Sequence, residues 1–254
     1  MADSVRRVVV TGGSGGIGRA VVCALAAEGY RVVALGRDSG RLAALERESH
    51  AHGLDVTARV CDVTDEAAVA TTAGALGPVD VLVNNAGTAA TAPLRGTGLD
   101  LWESHLRTNA TSAFLMTRAL LPGMLERDHG RIVFVASTAA LVGTRYTTAY
   151  TASKHAMIGL ARAVAAEVAG TGVTSNAVCP TFVRGPLTDR SVARIVERTG
   201  RDRDHAEAAL ASASPLGRLL EPEEVAAAVS YFASPLARAV NGQSLTIDGG
   251  GTHT

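Results

Sequence analysis

Between Thr11 and Gly18 the chain reads T-G-G-S-G-G-I-G, and its flanks leave few folds open. Ahead of it, Val8, Val9 and Val10 form a β-branched run of strand length. Behind it, residues 17–28 carry apolar side chains at helical spacing. A strand that turns through glycines directly into a helix is the opening of a βαβ unit. Glycines there allow a tight turn and a close approach of backbone to a pyrophosphate resting on free helix N–H groups. Gly12, Ser14, Gly16, Ile17 and Gly18 are therefore candidate nucleotide-binding residues.

The remainder of the chain repeats that alternation. Strand-length apolar runs fall at 31–35, 56–60, 79–83, 131–136, 173–178 and 244–247, and helical patterns at 39–51, 65–75, 99–127, 150–169, 186–210 and 222–232. Strands that are apolar on nearly every residue belong to a parallel sheet covered on both faces. The expectation is an α/β fold, a single Rossmann-type doubly wound domain over residues 1–254. A lid-like insertion at 184–220 is placed beyond the carboxyl ends of the strands, where ligands bind in open α/β sheets. Aromatic residues are only 4% of the chain against 47% hydrophobic, so Ala, Val and Leu must fill the core.

Charge and cysteine usage narrow the function. With 24 basic and 24 acidic residues the net charge is zero, which offers neither nucleic acid nor an anionic membrane a binding surface. No apolar run is long enough to span a bilayer, and residues 1–7 lack a signal-type apolar region, so a cytoplasmic protein is expected. Cys23, Cys61 and Cys179 are far apart and fit neither a zinc site nor a disulfide framework.

Cofactor choice lies at the end of the second strand, V-V-A-L-G-R-D. Where a carboxylate would bond ribose hydroxyls, the chain has Gly36 and then Arg37, whose guanidinium suits a 2′-phosphate. Asp38 lies about 20 residues past the glycine loop, the usual distance for a ribose-binding acid, but it is equally placed to cap the next helix. NADP(H) is favoured over NAD(H).

Tyr150 and Lys154, in Y-T-A-S-K, share a helix face at i and i+4. A phenol has a reference pKa of ~10, and a neighbouring ammonium is expected to lower it. Tyr146 is a nearby phenol without a lysine at i+4.

T-G-G-S-G-G-I-G is followed in order by C-D-V (61–63), N-N-A-G (84–87), Asn109 in R-T-N-A, Ser137 in V-A-S-T, Y-T-A-S-K, C-P-T-F-V-R-G-P and I-D-G-G. In that ordered set the chain resembles the short-chain dehydrogenase/reductase family over essentially its full length. The resemblance implies a seven-stranded parallel sheet and a catalytic set of Ser137, Tyr150, Lys154 and Asn109. In it Tyr150 is the acid, Ser137 bonds the carbonyl oxygen, Lys154 tunes the phenol and binds ribose, and Asn109 holds a water that links Lys154 to solvent. It further implies that Asp62 meets the adenine amino group, Val63 packs on that ring, Asn85, Ala86 and Gly87 line the cofactor, and Pro180 and Val183 lie by the nicotinamide. Two positions depart from the pattern: Thr181 stands where the family has glycine, and Gly185 where it has a threonine that meets the cofactor.

G-P-V-D-V-L-V-N-N-A-G, S-K-H and T-G-V-T-S-N-A-V-C-P are similar to ketoreductases of aromatic polyketide and fatty-acid synthesis. That implies a β-ketoacyl or polyketide substrate, with an acyl carrier protein as partner. The lid sequence is also similar to the hydroxyacyl-CoA and hydroxybutyrate dehydrogenase branches, and a non-catalytic nucleotide-binding regulator is a third reading. Arginines 190, 194, 198, 201 and 203 suit a phosphopantetheine or carrier acid, or else they pair with Asp189, Glu197, Asp202 and Asp204. A homotetramer is expected by analogy, with Ala152, Ala156, Gly159 and Ala163 suited to close helix contact.

Overall fold

Val8, Val9 and Val10 lie opposite Val32, Val33 and Ala34 on one side and Val81, Leu82 and Val83 on the other. The first strand is thus interior to its sheet, which is why β-branched residues occupy it without polar alternation. The computed structural model describes residues 6–252. Its strands are β1 (Arg7–Thr11), β2 (Arg31–Gly36), β3 (Val56–Val60), β4 (Val81–Asn84), β5 (Gly130–Val135), β6 (Val173–Pro180) and β7 (Ser244–Ile247). All pair in parallel in the order β3-β2-β1-β4-β5-β6-β7. The order reverses between β1 and β4, so a crevice opens beyond their carboxyl ends.

Helices cover both faces. On one face lie α1 (Gly16–Ala27), α2 (Ser39–Ala51) and α9 (Pro222–Ala233), packed through Val21, Leu25, Leu42, Leu45, Val229 and Phe232. On the other lie α3 (Glu66–Gly74), α5 (Ser112–Glu126) and α6 (Thr148–Glu167), packed through Val69, Met116, Met124, Met157, Ile158 and Val164. The second layer uses methionine where aromatic residues are scarce, a flexible side chain that fills irregular gaps.

Two long helical patterns are each broken. The pattern over 99–127 divides into α4 (Leu99–His105), a turn at Leu106–Thr111 that widens to i→i+5 hydrogen bonding, and α5. Such wide turns recur at functional sites, and Asn109 lies inside this one. The pattern over 186–210 divides into α7 (Pro186–Thr199) and α8 (Arg203–Ala211). Gly200 takes φ +67° and stops α7, and the Asp202 carboxylate accepts the His205 N–H to start α8.

Candidate active site

The glycine loop is strapped to the end of β4. The Thr11 hydroxyl accepts the N–H groups of Asn85 and Ala86, each at 2.9 Å, and Asn85 Nδ2 donates to the carbonyls of Thr11 and Gly12. Gly12 (φ +63°) and Gly16 (φ +51°) need glycine for their backbone, and a Cβ on Gly18 would lie 2.2 Å from the Gly12 carbonyl oxygen. Gly15 differs from them: it opens α1 without a side-chain cap, and a Cβ there would meet nothing within 4 Å. Uncapped N–H groups facing open space above a helix start fit the pyrophosphate of a dinucleotide.

At the end of β2, a Cβ on Gly36 would stand 3.3 Å from Ser14 Oγ, and Arg37 is exposed beside them. Asp38 takes the capping alternative: its carboxylate accepts the Arg41 N–H at 2.9 Å and pairs with the Arg41 side chain. Asp62 Oδ1 accepts from both the N–H and the hydroxyl of Thr64. Those two bonds, ahead of the more distant Arg37 charge, hold the carboxyl below its usual range. Val63 is buried in the core beside Val69 and Cys61.

Ser137, Tyr150, Lys154, Asn109 and Gly87 come together at the carboxyl ends of β4 and β5. Ser137 follows β5, where its hydroxyl accepts the Ala139 N–H at 3.1 Å. Lys154, buried, donates from Nζ to the Val135 carbonyl at 2.9 Å and stands 5.8 Å from the centroid of the Tyr150 ring. Asn109 is fully buried. Its Nδ2 donates to the Thr88 carbonyl (3.1 Å) and to Ser153 Oγ (2.8 Å), and its Oδ1 accepts the Thr88 N–H (2.7 Å). Both N–H groups are engaged, which leaves one lone pair of Oδ1 for a water. Gly87 sits between Asn109 and Lys154; a Cβ there would come 3.2 Å from Oδ1 and 3.7 Å from Nζ. Tyr146 is exposed, with φ +65°, and meets the site only through its carbonyl, which accepts the Ala92 N–H.

Burial sets the proton affinities here. It pushes the Tyr150 phenol up, partly offset by the Ser137 hydroxyl, and it brings the Lys154 ammonium down to about 8. The net shift of Tyr150 is the reverse of the lowering expected, because desolvation is the leading effect on it. Cys179, at the end of β6, is pushed up to about 11 by burial and stays a thiol. A neutral phenol beside a buried cation is an acid that keeps its proton until a reacting oxygen takes it.

The segment after β6 explains one departure. Gly185 has φ +140°, a backbone that side-chain-bearing residues rarely adopt, and rests against Gly16. Threonine would be strained there. Arg184 pairs with both Glu207 and Glu221. The Val183 carbonyl is taken by the Thr188 hydroxyl, which leaves its N–H for a ligand. Pro180 ends β6, opposite Ile247. Of the arginines between residues 190 and 203, Arg203 pairs with Asp189, whereas Arg194 Nη1 donates to the Thr91 carbonyl at 2.9 Å. A cavity of about 510 Å³ lies there, lined by Ala90, Thr91, Leu101, Arg194, Glu197 and Arg198. The sequence reading passed over Thr11, Thr88, His105 and Ser153. Each acts through hydrogen bonds to groups distant in the chain, and no spacing along the chain announces it. Among the described residues no three His, Cys, Asp or Glu side chains are grouped to hold a metal ion, and no helix is long and apolar enough to cross a membrane.

Comparison with known proteins agrees with this geometry. The chain is 40% identical over 254 residues to a protein assigned as ketoacyl reductase 1 of the granaticin polyketide synthase of Streptomyces violaceoruber, covering 95% of this chain and 91% of that one. It is 36% identical over 243 residues to a 3-oxoacyl-[acyl-carrier-protein] reductase of Vibrio harveyi, with 95% of each covered. The fold superposes with a TM-score of 0.94 on a crystal structure of a variant actinorhodin polyketide ketoreductase with NADPH, at 35% identity and 98% coverage of both chains. The family model for short chain dehydrogenases matches residues 6–195, and the chain belongs to that family of oxidoreductases, which act between alcohols and ketones.

Proposed function

We propose that this chain is an NADPH-dependent ketoreductase that reduces a keto group of a β-ketoacyl or polyketide substrate to an alcohol. The observation that carries the reading is a half-buried phenol, Tyr150, kept neutral by burial, with Ser137 at hand and the Lys154 ammonium 5.8 Å from its ring. Gly12, Ser14, Gly16, Ile17 and Gly18 would hold the dinucleotide with Asn85, Ala86 and Gly87, and the Val183 N–H would meet its far end beside Pro180. Asp62 and Val63 would flank its adenine. When bound, the nicotinamide supplies the hydride. Tyr150 gives its proton to the ketone oxygen, and Ser137 donates a hydrogen bond to the same oxygen as charge develops there. Lys154 holds positive charge against the phenolate left behind and has two further N–H groups for the ribose. Asn109 fixes Thr88 and so the wall beside Lys154.

Arg37 next to a side-chain-free Gly36, with Asp38 turned to its helix, favours the 2′-phosphate of NADPH. The polyketide and carrier-protein relatives favour an acyl thioester on a carrier protein, and Arg198, exposed at the cavity rim, is a cation for its arm. The test is NADPH and NADH oxidation with acetoacetyl thioester, free and carrier-bound, and with the bicyclic ketone trans-1-decalone. Tyr150→Phe is expected to lower kcat by roughly 10²–10⁴ with unchanged NADPH affinity. A folded, cofactor-bound Tyr150→Phe protein that keeps most of its kcat overturns the assignment, and a strong preference for NADH overturns the role of Arg37.

A further inference from the structure

His105 closes α4, four residues before Asn109, and is 1% exposed. Its Nε2 lies 2.9 Å from the Ala90 N–H and its Nδ1 lies 2.8 Å from the Leu101 carbonyl. A backbone N–H only donates and a carbonyl only accepts, so one neutral tautomer satisfies both, with the proton on Nδ1. The ring meets Tyr150 edge to face, with centroids 6.4 Å apart and planes at 79°. One buried imidazole therefore touches the phenol and holds the loop that walls the crevice.

That loop, residues 88–92, is gripped along its length by side chains and backbone from separate elements. Asn109 brackets Thr88, His105 holds Ala90, Arg194 of α7 holds the Thr91 carbonyl, and the Tyr146 carbonyl accepts the Ala92 N–H. Arg194 belongs to the lid, whereas His105 is inside the fold. Ala90 is thus held from inside the fold, as Thr88 is by Asn109, and of these two it is Ala90 that lines the cavity under the lid.

Resting on the ketoreductase reading, we propose that His105 is a positioning residue for the ketone: by accepting the Ala90 N–H it fixes the wall against which the substrate is held, and its ring braces Tyr150. His105→Leu fills the volume without an acceptor, and His105→Gln offers one through Oε1. His105→Leu is expected to raise the KM for trans-1-decalone about tenfold or more, with NADPH affinity within about twofold of wild type by fluorescence titration. Amide hydrogen exchange at Ala90 is expected to speed up in the same variant, and His105→Gln to recover both KM and protection. The proposal is overturned if folded His105→Leu leaves ketone KM and Ala90 exchange unchanged. It is equally overturned if His105→Gln is no better than leucine, or if NADPH affinity falls in parallel, which marks a general loss of packing. Should His105→Leu not fold, Ala90→Pro removes the donor and leaves the imidazole; the same rise in KM supports the proposal and an unchanged KM overturns it. Wild-type turnover is the control: its absence refutes the ketoreductase reading, while exchange at Ala90 still tests the hydrogen bond.

Discussion

Lys154 is buried and Tyr150 half-buried, and burial moves their proton affinities in opposite directions, each toward the neutral form. For tyrosine that is the form a ketone reduction needs. For Lys154 it is not, because the phenolate left after proton transfer is stabilised by a cation. The lysine is down at about 8, so its charge is present below that pH and is lost as pH rises through it. With Tyr150 raised and Cys179 up at about 11, neither of those groups loses its proton first. The kcat/KM for NADPH-dependent reduction, which reports the free enzyme, is accordingly expected to be level below pH about 8 and to fall roughly tenfold per unit above it. Lys154→Met is expected to show a low rate without that limb, and a wild-type profile level to pH 10 would show that the charge on Lys154 is not required. At this scale the sequence was readable where two groups stand at helical spacing, as Tyr150 and Lys154 do. It was unreadable where one side chain meets backbone far away. His105 shows no pattern along the chain because its partner, Ala90, is 15 residues off, and burial, which sets the phenol's affinity, is a property of the packed layers.

Among the elements, β1, the glycine loop and α1 were legible in full because each part is constrained locally: β-branched residues for the strand, glycines for the turn, apolar spacing for the helix. The 99–127 and 186–210 patterns ran on because apolar periodicity persists through a widened turn and through a glycine stop. Thr199-Gly200 with Asp202 was a readable stop and start, whereas nothing in L-R-T-N-A-T marks an i→i+5 turn. Within the loop the glycines are not equivalent, and a pair of substitutions separates their duties. Gly18→Ala drives a Cβ into the Gly12 carbonyl and is expected to cost about 1–3 kcal/mol of stability. Gly15→Ala enters open space from an extended backbone (φ −165°), so stability is expected to stay within about 0.5 kcal/mol. The same methyl occupies the space proposed for the pyrophosphate, and NADPH binding is expected to weaken on the order of tenfold. Thermal melts and fluorescence titration of the two proteins check this. Undiminished NADPH affinity in Gly15→Ala would move the phosphates elsewhere.

Over the whole molecule, the layer of α5 and α6 carries apolar and small side chains on its outer surface. Phe114 and Leu125 of α5 remain over 40% exposed. On α6, Ala156, Gly159 and Ala163 all face outward, and a Cβ on Gly159 would meet nothing within 4 Å. Of the four small residues marked in the sequence as suited to helix contact, these three are exposed and Ala152 is partly buried; we propose that they meet a second copy, and a stable interface of this kind buries at least about 1,000 Å². Light scattering is expected to give the wild type a mass four times the 26.0 kDa of the chain. Gly159→Arg places a long cation on the face without an internal clash, and replacing a mid-helix glycine favours the helix by up to about 1 kcal/mol. A fall in assembly mass with an intact far-ultraviolet spectrum therefore reports the face itself. A wild-type monomer, or a tetramer indifferent to Gly159→Arg, would remove α6 from the interface and leave its small residues without a role in assembly.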